Sequence, residues 1–163
     1  MTSQINGLQQ AAANAEAADN LAQTVEGHLE NITNKVTRTR SLMSQAANDM
    51  MTGLDLQKIQ LEIDELAHDI KKESSHASYD GNRLFDSSGE NNSDFRFQIG
   101  GAQTGAVQIP LDATVMNERL GSLRVADAAG VSHQLDGVDQ VLDSLNSARA
   151  ILGDQQNSLH TIR

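Results

Sequence analysis

Cysteine and tryptophan are absent from this chain of 163 residues, proline occurs once, and aromatic residues make up only 2% of it. Without cysteine the chain can hold neither a disulfide scaffold nor a cysteine-ligated zinc site. No apolar run approaches the ~20 residues that a membrane-spanning helix requires, and the first residues lack the pattern of a secretory signal. Acidic residues outnumber basic ones by 22 to 12, which argues against nucleic-acid binding because phosphate recognition needs clustered lysine and arginine.

The apolar residues, 38% of the chain, are mainly aliphatic, since the aromatic ones are Tyr79, Phe85, Phe95 and Phe97. Aliphatic cores with few rings are typical of helix packing, in which small residues let two backbones approach closely. At this length a single domain is the default expectation. We therefore expect a rod of packed helices and no catalytic pocket with aromatic walls.

The first fifty residues carry the most regular apolar pattern. Alternating steps of three and four residues from Leu8 to Met50 meet an apolar residue everywhere except at Thr39. The positions are Leu8, Ala11, Ala15, Ala18, Ala22, Val25, Leu29, Ile32, Val36, Thr39, Met43, Ala46 and Met50. A sustained period of 3.5 residues predicts a helix, over about 3–47, whose apolar seam keeps facing a partner helix.

Two further helices are predicted. Asp55 can cap the first of them, over about 55–77, and the second extends over about 133–162. Their apolar seams are, for the shorter helix, Leu56, Ile59, Ile63, Leu66, Ile70 and Ala77, and for the longer one, Val138, Val141, Leu145, Ala148, Leu152, Leu159 and Ile162. Residues 111–130 are ambiguous, with a short helical turn near 112–120 and then a loop.

The segment between these helices contains a loop and a predicted β-hairpin. Residues 79–92 are rich in glycine, serine and asparagine, which indicates an exposed loop. Phe95 and Phe97 alternate with polar residues, as do Val107 and Ile109, and several glycines lie between the two pairs. This alternation predicts a hairpin over about 94–109.

The predicted fold class is mainly α: an elongated antiparallel helical bundle or coiled coil of two long helices and one shorter helix, with a small β-hairpin. Both chain ends are expected at one end of the rod. The apolar seams continue to both ends without capping clusters, so we expect the chain to be the middle of a longer protein.

A Glu-x-x-His motif, which carries metal ligands in some helical bundles, occurs twice, at Glu65–His68 and Glu73–His76. Both copies lie on or just after one helix, whereas a bundle centre needs ligands from several. If the seam of that helix faces inward, Glu65 and His68 face solvent. We therefore predict no metal, no cofactor and no enzymatic activity; a carboxylate-bridged metal bundle is the enzyme alternative.

Lys35, Arg38 and Arg40 form a basic cluster on the first helix beside Leu42. One interpretation is a solvated face with charge pairs. The other is a partner-binding patch, because an exposed arginine and leucine on a rigid helix resemble a binding hot spot. The residues alone leave both interpretations open.

Five segments together resemble bacterial flagellin. They are SQINGLQQAAANA, LAQTVEGHLENITNKVTRTRSLMSQAAN, LQKIQLEIDELAHDI, SSHASYDGNRLF and, near the end, RAILGDQQNSL. The resemblance covers about residues 2–85 and 135–163, and the hairpin lies where the family has it. Glu16–Asp19 replaces a polar-Asp-Gly-Ile run of the family, and Tyr79-Asp80-Gly81 replaces Phe-Asn-Gly.

The resemblance implies a structural subunit of the bacterial flagellar filament, secreted unfolded through the flagellar export channel, with residues 1–163 as the filament-core domain. Its implied partners are other flagellin subunits, an export chaperone, the filament cap and the hook-junction proteins. The terminal polymerisation segments of the family are expected to be missing, so the 163-residue chain is predicted to be a monomer that does not polymerise alone.

The family also has a surface that a vertebrate Toll-like receptor recognises. Its motif maps onto Arg38, Arg40, Leu42, Gln45, Gln60 and Glu62. Ser41 stands where the family usually has glutamate, which removes one carboxylate from this surface.

Two other structural classes compete with this interpretation. The hook–filament junction protein shares the helical architecture, but the LGDQQNSL segment fits flagellin better. A chemoreceptor-like signalling coiled coil would share the alanine-rich heptads, but it should lack the Phe-x-Phe hairpin.

Overall fold

The computed structural model describes residues 2–48, 50–85, 94–98, 104–125 and 128–162. Within these, the helices are α1 (Thr2–Ala46), α2 (Gly53–His76), α3 (Ala113–Gly121) and α4 (Ala128–Ile162). The strands are β1 (Ser78–Tyr79), β2 (Asn82–Arg83), β3 (Asp94–Gln98) and β4 (Thr104–Gln108). The fold is thus mainly helical, with two long helices and a shorter one, as the heptad pattern predicts.

The two long helices define a rod. At ~1.5 Å per residue, α1 is about 68 Å long and α4 about 52 Å. Ion pairs between α1 and α4 join residues 19, 26 and 40 to residues 160, 149 and 139 in that order, so the two helices are antiparallel. Helix α2 is also antiparallel to α1, because residues 28 and 38 of α1 pair with residues 73 and 62 of α2.

The core follows the predicted seam of α1 over most of its length. The seam residues from Ala15 to Ala46 are buried, including the one polar member, Thr39. The two ends of the pattern differ: Leu8 is exposed, and Met50 lies beyond the helix and is almost fully exposed. Leu21 and Leu42 lie outside the seam but are buried, because α1 packs against α2 on one flank and α4 on the other.

Helix α2 begins at Gly53, two residues before the predicted start. Thr52 is its N-cap, and the Thr52 hydroxyl accepts a hydrogen bond from the backbone N–H of Asp55. The predicted cap, Asp55, instead lies in the first turn, where its carboxylate accepts a hydrogen bond from the Thr52 hydroxyl at 2.6 Å. This bond is the main cause that lowers the pKa of Asp55.

The segment predicted as a loop after α2 begins with a second hairpin. Strands β1 and β2 pair antiparallel across Asp80 and Gly81, both of which have positive φ angles. An Asp-Gly pair favours this type of tight turn, because both central residues must adopt the left-handed conformation. Asp80-Gly81 is therefore a hairpin signal within the segment that was predicted as a loop. Residues 86–92 of that segment lie outside the described residues.

The predicted hairpin is present, with β3 antiparallel to β4 and Phe95 opposite Val107. The N–H of Gln108 donates to the side chain of Gln155, which fixes β4 near the C-terminal part of α4. The five residues between the two strands are outside the described part of the chain.

The ambiguous segment contains a further short helix, α3, at the place where the sequence predicted a helical turn. Asp112 caps α3 by accepting hydrogen bonds from the N–H groups of Thr114 and Val115. Met116 and Leu120, four residues apart, bury the inner face of α3 against the bundle. Helix α4 begins at Ala128, five residues before the predicted start.

Candidate functional site

The two flanks of α1 carry the charged residues that the sequence singled out. On the flank that faces α4, Arg40 makes a bidentate contact with Asp139. The Nε atom of Arg40 lies 2.5 Å from Oδ1 of Asp139, and Nη2 lies 3.3 Å from Oδ2. The hydrogen bond and charge attraction raise the pKa of Arg40 and lower that of Asp139. Arg149 of α4 pairs with Glu26 of α1 at 2.7 Å. This second pair lies about three to four helical turns from the first.

On the flank that faces α2, two basic residues and a histidine pair with two carboxylates. Arg38 lies 2.7 Å from Glu62, and the Nδ1 atom of His28 lies 2.7 Å from Glu73. Lys35 reaches the other oxygen of Glu73 at 3.9 Å. The basic cluster of α1 is therefore divided between two neighbouring helices, and each of its cations faces an acidic partner.

Leu42 does not belong to the exposed patch that the sequence suggested. Its side chain is 3% exposed and forms part of the core between the helices. Of the two interpretations of this cluster, the one that needs an exposed arginine–leucine pair does not fit the burial of Leu42. Gln45, one turn further, is exposed.

Gln60 holds the segment that links α3 to α4. Its side-chain amide donates to the carbonyl of Leu123 at 3.2 Å and accepts from the N–H of Val125 at 2.7 Å. From α4, the amide of Gln134 makes the same kind of paired contact with the backbone of Arg124, at 2.7 and 3.0 Å. Residues 123–125 are therefore held like a short strand between two glutamine amides, which we call the glutamine clip.

The six residues of the predicted receptor-facing site thus have three kinds of surroundings. Arg38, Arg40 and Glu62 are partly exposed and paired, and Gln45 is exposed. Leu42 is buried in the core, whereas Gln60 is half-buried and binds the backbone of Leu123 and Val125. Sequence reasoning missed the role of Gln60, because the backbone that it binds lies more than sixty residues away in the chain.

The Glu-x-x-His motifs do not assemble a metal centre among the described residues. Glu65 and His68 are exposed on the outer side of α2, as predicted from its seam. Glu73 faces His28 and Lys35. No group of three potential ligands in the described ranges is placed to hold a metal ion. In the same ranges, no helix has the length and apolar character to cross a membrane.

The segment that contains α1 and α2 matches a known protein family. Residues 1–90 match the family of the bacterial flagellin N-terminal helical region. The chain belongs to the flagellin family. Flagellin FlaB1 of Treponema pallidum is 31% identical over 176 residues, covering 98% of this chain and 60% of that protein. This flagellin chain therefore spans about three fifths of the length of that relative.

Solved structures of flagellar proteins have a similar fold. A crystal structure of Bacillus cereus flagellin superimposes with a TM-score of 0.81 over 91% of this chain and 85% of that chain, at 23% identity. A putative flagellar hook-associated protein from Vibrio parahaemolyticus gives a TM-score of 0.78 over 96% of this chain and 84% of that chain, at 14% identity. The fold alone therefore does not separate flagellin from the hook-associated class.

Proposed function

We propose that this chain is the filament-core domain, residues 1–163, of a flagellin that builds the extracellular flagellar filament and serves motility. The observation that carries the proposal is the family match over residues 1–90, which is the half of the chain that forms α1, α2 and the first hairpin. The proposed mechanism is mechanical: long helices joined by ion pairs on both flanks of α1 form a stiff rod, and rods pack into a tube. The chain is proposed to have no enzymatic activity.

Antibodies raised against the 163-residue chain test this proposal. Immunogold electron microscopy of the source bacterium should label the flagellar filament along its length, as expected for its main subunit. Label confined to the point where the hook meets the filament would instead favour the hook-associated alternative. Absence of label from the whole flagellum would contradict both.

The proposed partners are further flagellin subunits and, during export and assembly, a chaperone, the filament cap and the hook-junction proteins. The isolated chain is proposed to stay monomeric in dilute solution, since a net charge of −10 opposes association. Electron microscopy of the purified chain should show no filaments. Filaments formed by these 163 residues alone would contradict that part of the proposal.

We further propose that a vertebrate Toll-like receptor binds the surface around Arg38 and Glu62, with Arg40 and Gln45 alongside. Arg38 and Glu62 keep 56% and 42% of their side chains exposed while paired, so a partner can reach both. Leu42 would contribute through its packing in the core, and Gln60 by holding residues 123–125 beside α2. Arg38→Ala should weaken receptor binding without loss of helix content, whereas an unchanged affinity would reject this assignment.

A further inference from the structure

The two arginines of the predicted receptor-facing site are paired in different ways. Nε and Nη2 of Arg38 contact the same oxygen of Glu62, Oε1, at 2.8 and 2.7 Å, so Oε2 of Glu62 takes no part in the pair. Arg40 instead directs Nε to Oδ1 and Nη2 to Oδ2 of Asp139, so both carboxylate oxygens are engaged. We call Arg38–Glu62 the open pair and Arg40–Asp139 the closed pair.

Exposure does not explain a difference between the two pairs. Arg38 and Arg40 keep 56% and 48% of their side chains exposed, and the two carboxylates keep 42% each. A partner can therefore reach both arginines. What differs is whether the guanidinium already has a matching carboxylate.

The closed pair leaves Arg40 less able to bind a second carboxylate. Two parallel N–H···O bonds are the geometry in which a guanidinium and a carboxylate match. The hydrogen bond, and then the charge attraction, raise the pKa of Arg40, and the same hydrogen bond is the main cause that lowers the pKa of Asp139. A carboxylate of a partner must therefore displace Asp139 or lie close to it, and two like charges repel.

Asp139 lies outside the receptor motif that the sequence contains. The motif residues are on α1 and α2, whereas Asp139 is on α4, 99 residues after Arg40. Only the fold brings this carboxylate to the surface that carries Arg40. The motif by itself therefore counts Arg40 as available, and the structure pairs it.

We propose that Asp139 is a specificity-determining residue for the receptor contact. It holds Arg40 in the closed pair, so that Arg38 and Glu62 provide the available charges of this surface. The inference rests on the proposed receptor binding and names a residue that limits it. A receptor carboxylate placed beside Arg40 is disfavoured in this chain, and removal of the Asp139 charge admits it.

Chemical modification tests the closed pair without the receptor. Phenylglyoxal reacts with the neutral form of an arginine side chain, so stabilisation of the charged form by Asp139 slows its reaction with Arg40. In Asp139→Asn the rate at Arg40 should rise about two- to fivefold, which is the range that an exposed ion pair is worth. Arg38 serves as the internal control, since its rate, measured by peptide mass spectrometry, should not change.

Receptor affinity tests the consequence of the closed pair. The probe is the purified extracellular domain of the Toll-like receptor, and the natural chain is the reference. Asp139→Asn should bind about two- to fivefold more tightly. Because the gain comes from exposed charges, it should shrink as the salt concentration rises.

Two further variants are matched controls. Asp143→Asn removes the same charge from an exposed residue one turn along α4 and leaves the closed pair intact, so the affinity should stay that of the natural chain. Arg40→Gln combined with Asp139→Asn removes the guanidinium that Asp139→Asn releases, so the gain should be lost. Circular dichroism should show the same helix content in all variants.

Three results would overturn the inference. An unchanged rate of Arg40 modification in Asp139→Asn would show that Arg40 is not withheld. Measurable receptor binding that is equal or weaker in Asp139→Asn would show that Asp139 does not limit the contact, and an equal gain in Asp143→Asn would assign the effect to net charge.

Failure of the proposed receptor binding has a different signature. Neither the natural chain nor Asp139→Asn would bind the receptor domain, while modification of Arg40 would still become faster in Asp139→Asn. The receptor role of Asp139 would then fall together with the proposed binding, and the closed pair would stand.

Discussion

Leu42→Ala should destabilise the bundle strongly, although the sequence places Leu42 in a surface motif. The side chain is 3% exposed, so the substitution removes buried methyl groups and leaves a cavity, at a cost of about 2–5 kcal/mol. In a domain of this size 1 kcal/mol shifts the midpoint of thermal unfolding by about 2–4 °C. A central loss of about 3 kcal/mol therefore corresponds to a fall of roughly 6–12 °C.

Leu61→Ala is the matched control, because it makes the same chemical change at a position that is 71% exposed. Its free energy of unfolding should stay within about 0.5 kcal/mol of the natural chain. Urea unfolding followed by circular dichroism measures both variants. Equal effects of the two substitutions would refute the burial of Leu42. If the difference is found, receptor assays on Leu42 variants report on folding as well as on binding, and Arg38→Ala is the cleaner probe.

Three smaller changes test local features. Asp139→Asn removes the charged partner of Arg40. Because the pKa of Asp139 is lowered in the folded state, the natural chain should have the larger free energy of unfolding at neutral pH. This difference should vanish as the pH falls through the folded-state pKa of Asp139, as measured by urea unfolding at several pH values. Thr52→Ala removes the acceptor for the N–H of Asp55 and should cost about 1 kcal/mol in thermal unfolding. Gln60→Glu keeps the acceptor of the glutamine clip but loses the donor, and should cost about 1–3 kcal/mol in the same measurement.

Local patterns predicted the helices well because burial on a helix repeats with a fixed period. The seam of α2 is buried at Ile59, Ile63 and Ile70, as expected from spacing alone. Helix α3 was harder to predict, since a nine-residue segment gives too few repeats to separate a helix from a turn. Its stability comes from packing against α2 and α4, which local sequence does not report.

The candidate site was less predictable than the fold, because contacts across the bundle decide which side chains remain free. Glutamine is usually a surface residue, yet the side-chain nitrogen and oxygen of Gln60 both bind the backbone of the link between α3 and α4. Nothing near Gln60 in the sequence indicates that link. The receptor motif therefore places its six residues on α1 and α2, but it does not show which of their side chains are exposed and which pack or bond within the bundle.

The heptad of α1 nevertheless contained more information than its apolar seam. With Leu8 at the first heptad position, the fifth positions include Asp19, Glu26 and Arg40, and all three pair with α4. The seventh positions include Leu21, His28, Lys35 and Leu42; the histidine and the lysine pair with Glu73 of α2, and the two leucines are buried. Residues on the two sides of a coiled-coil seam determine partner choice and orientation. Because these two sides carry different residues in α1, its sequence specifies two different neighbouring helices. The burial of the two leucines at seventh positions has the same cause, since that side of α1 faces a helix and not solvent.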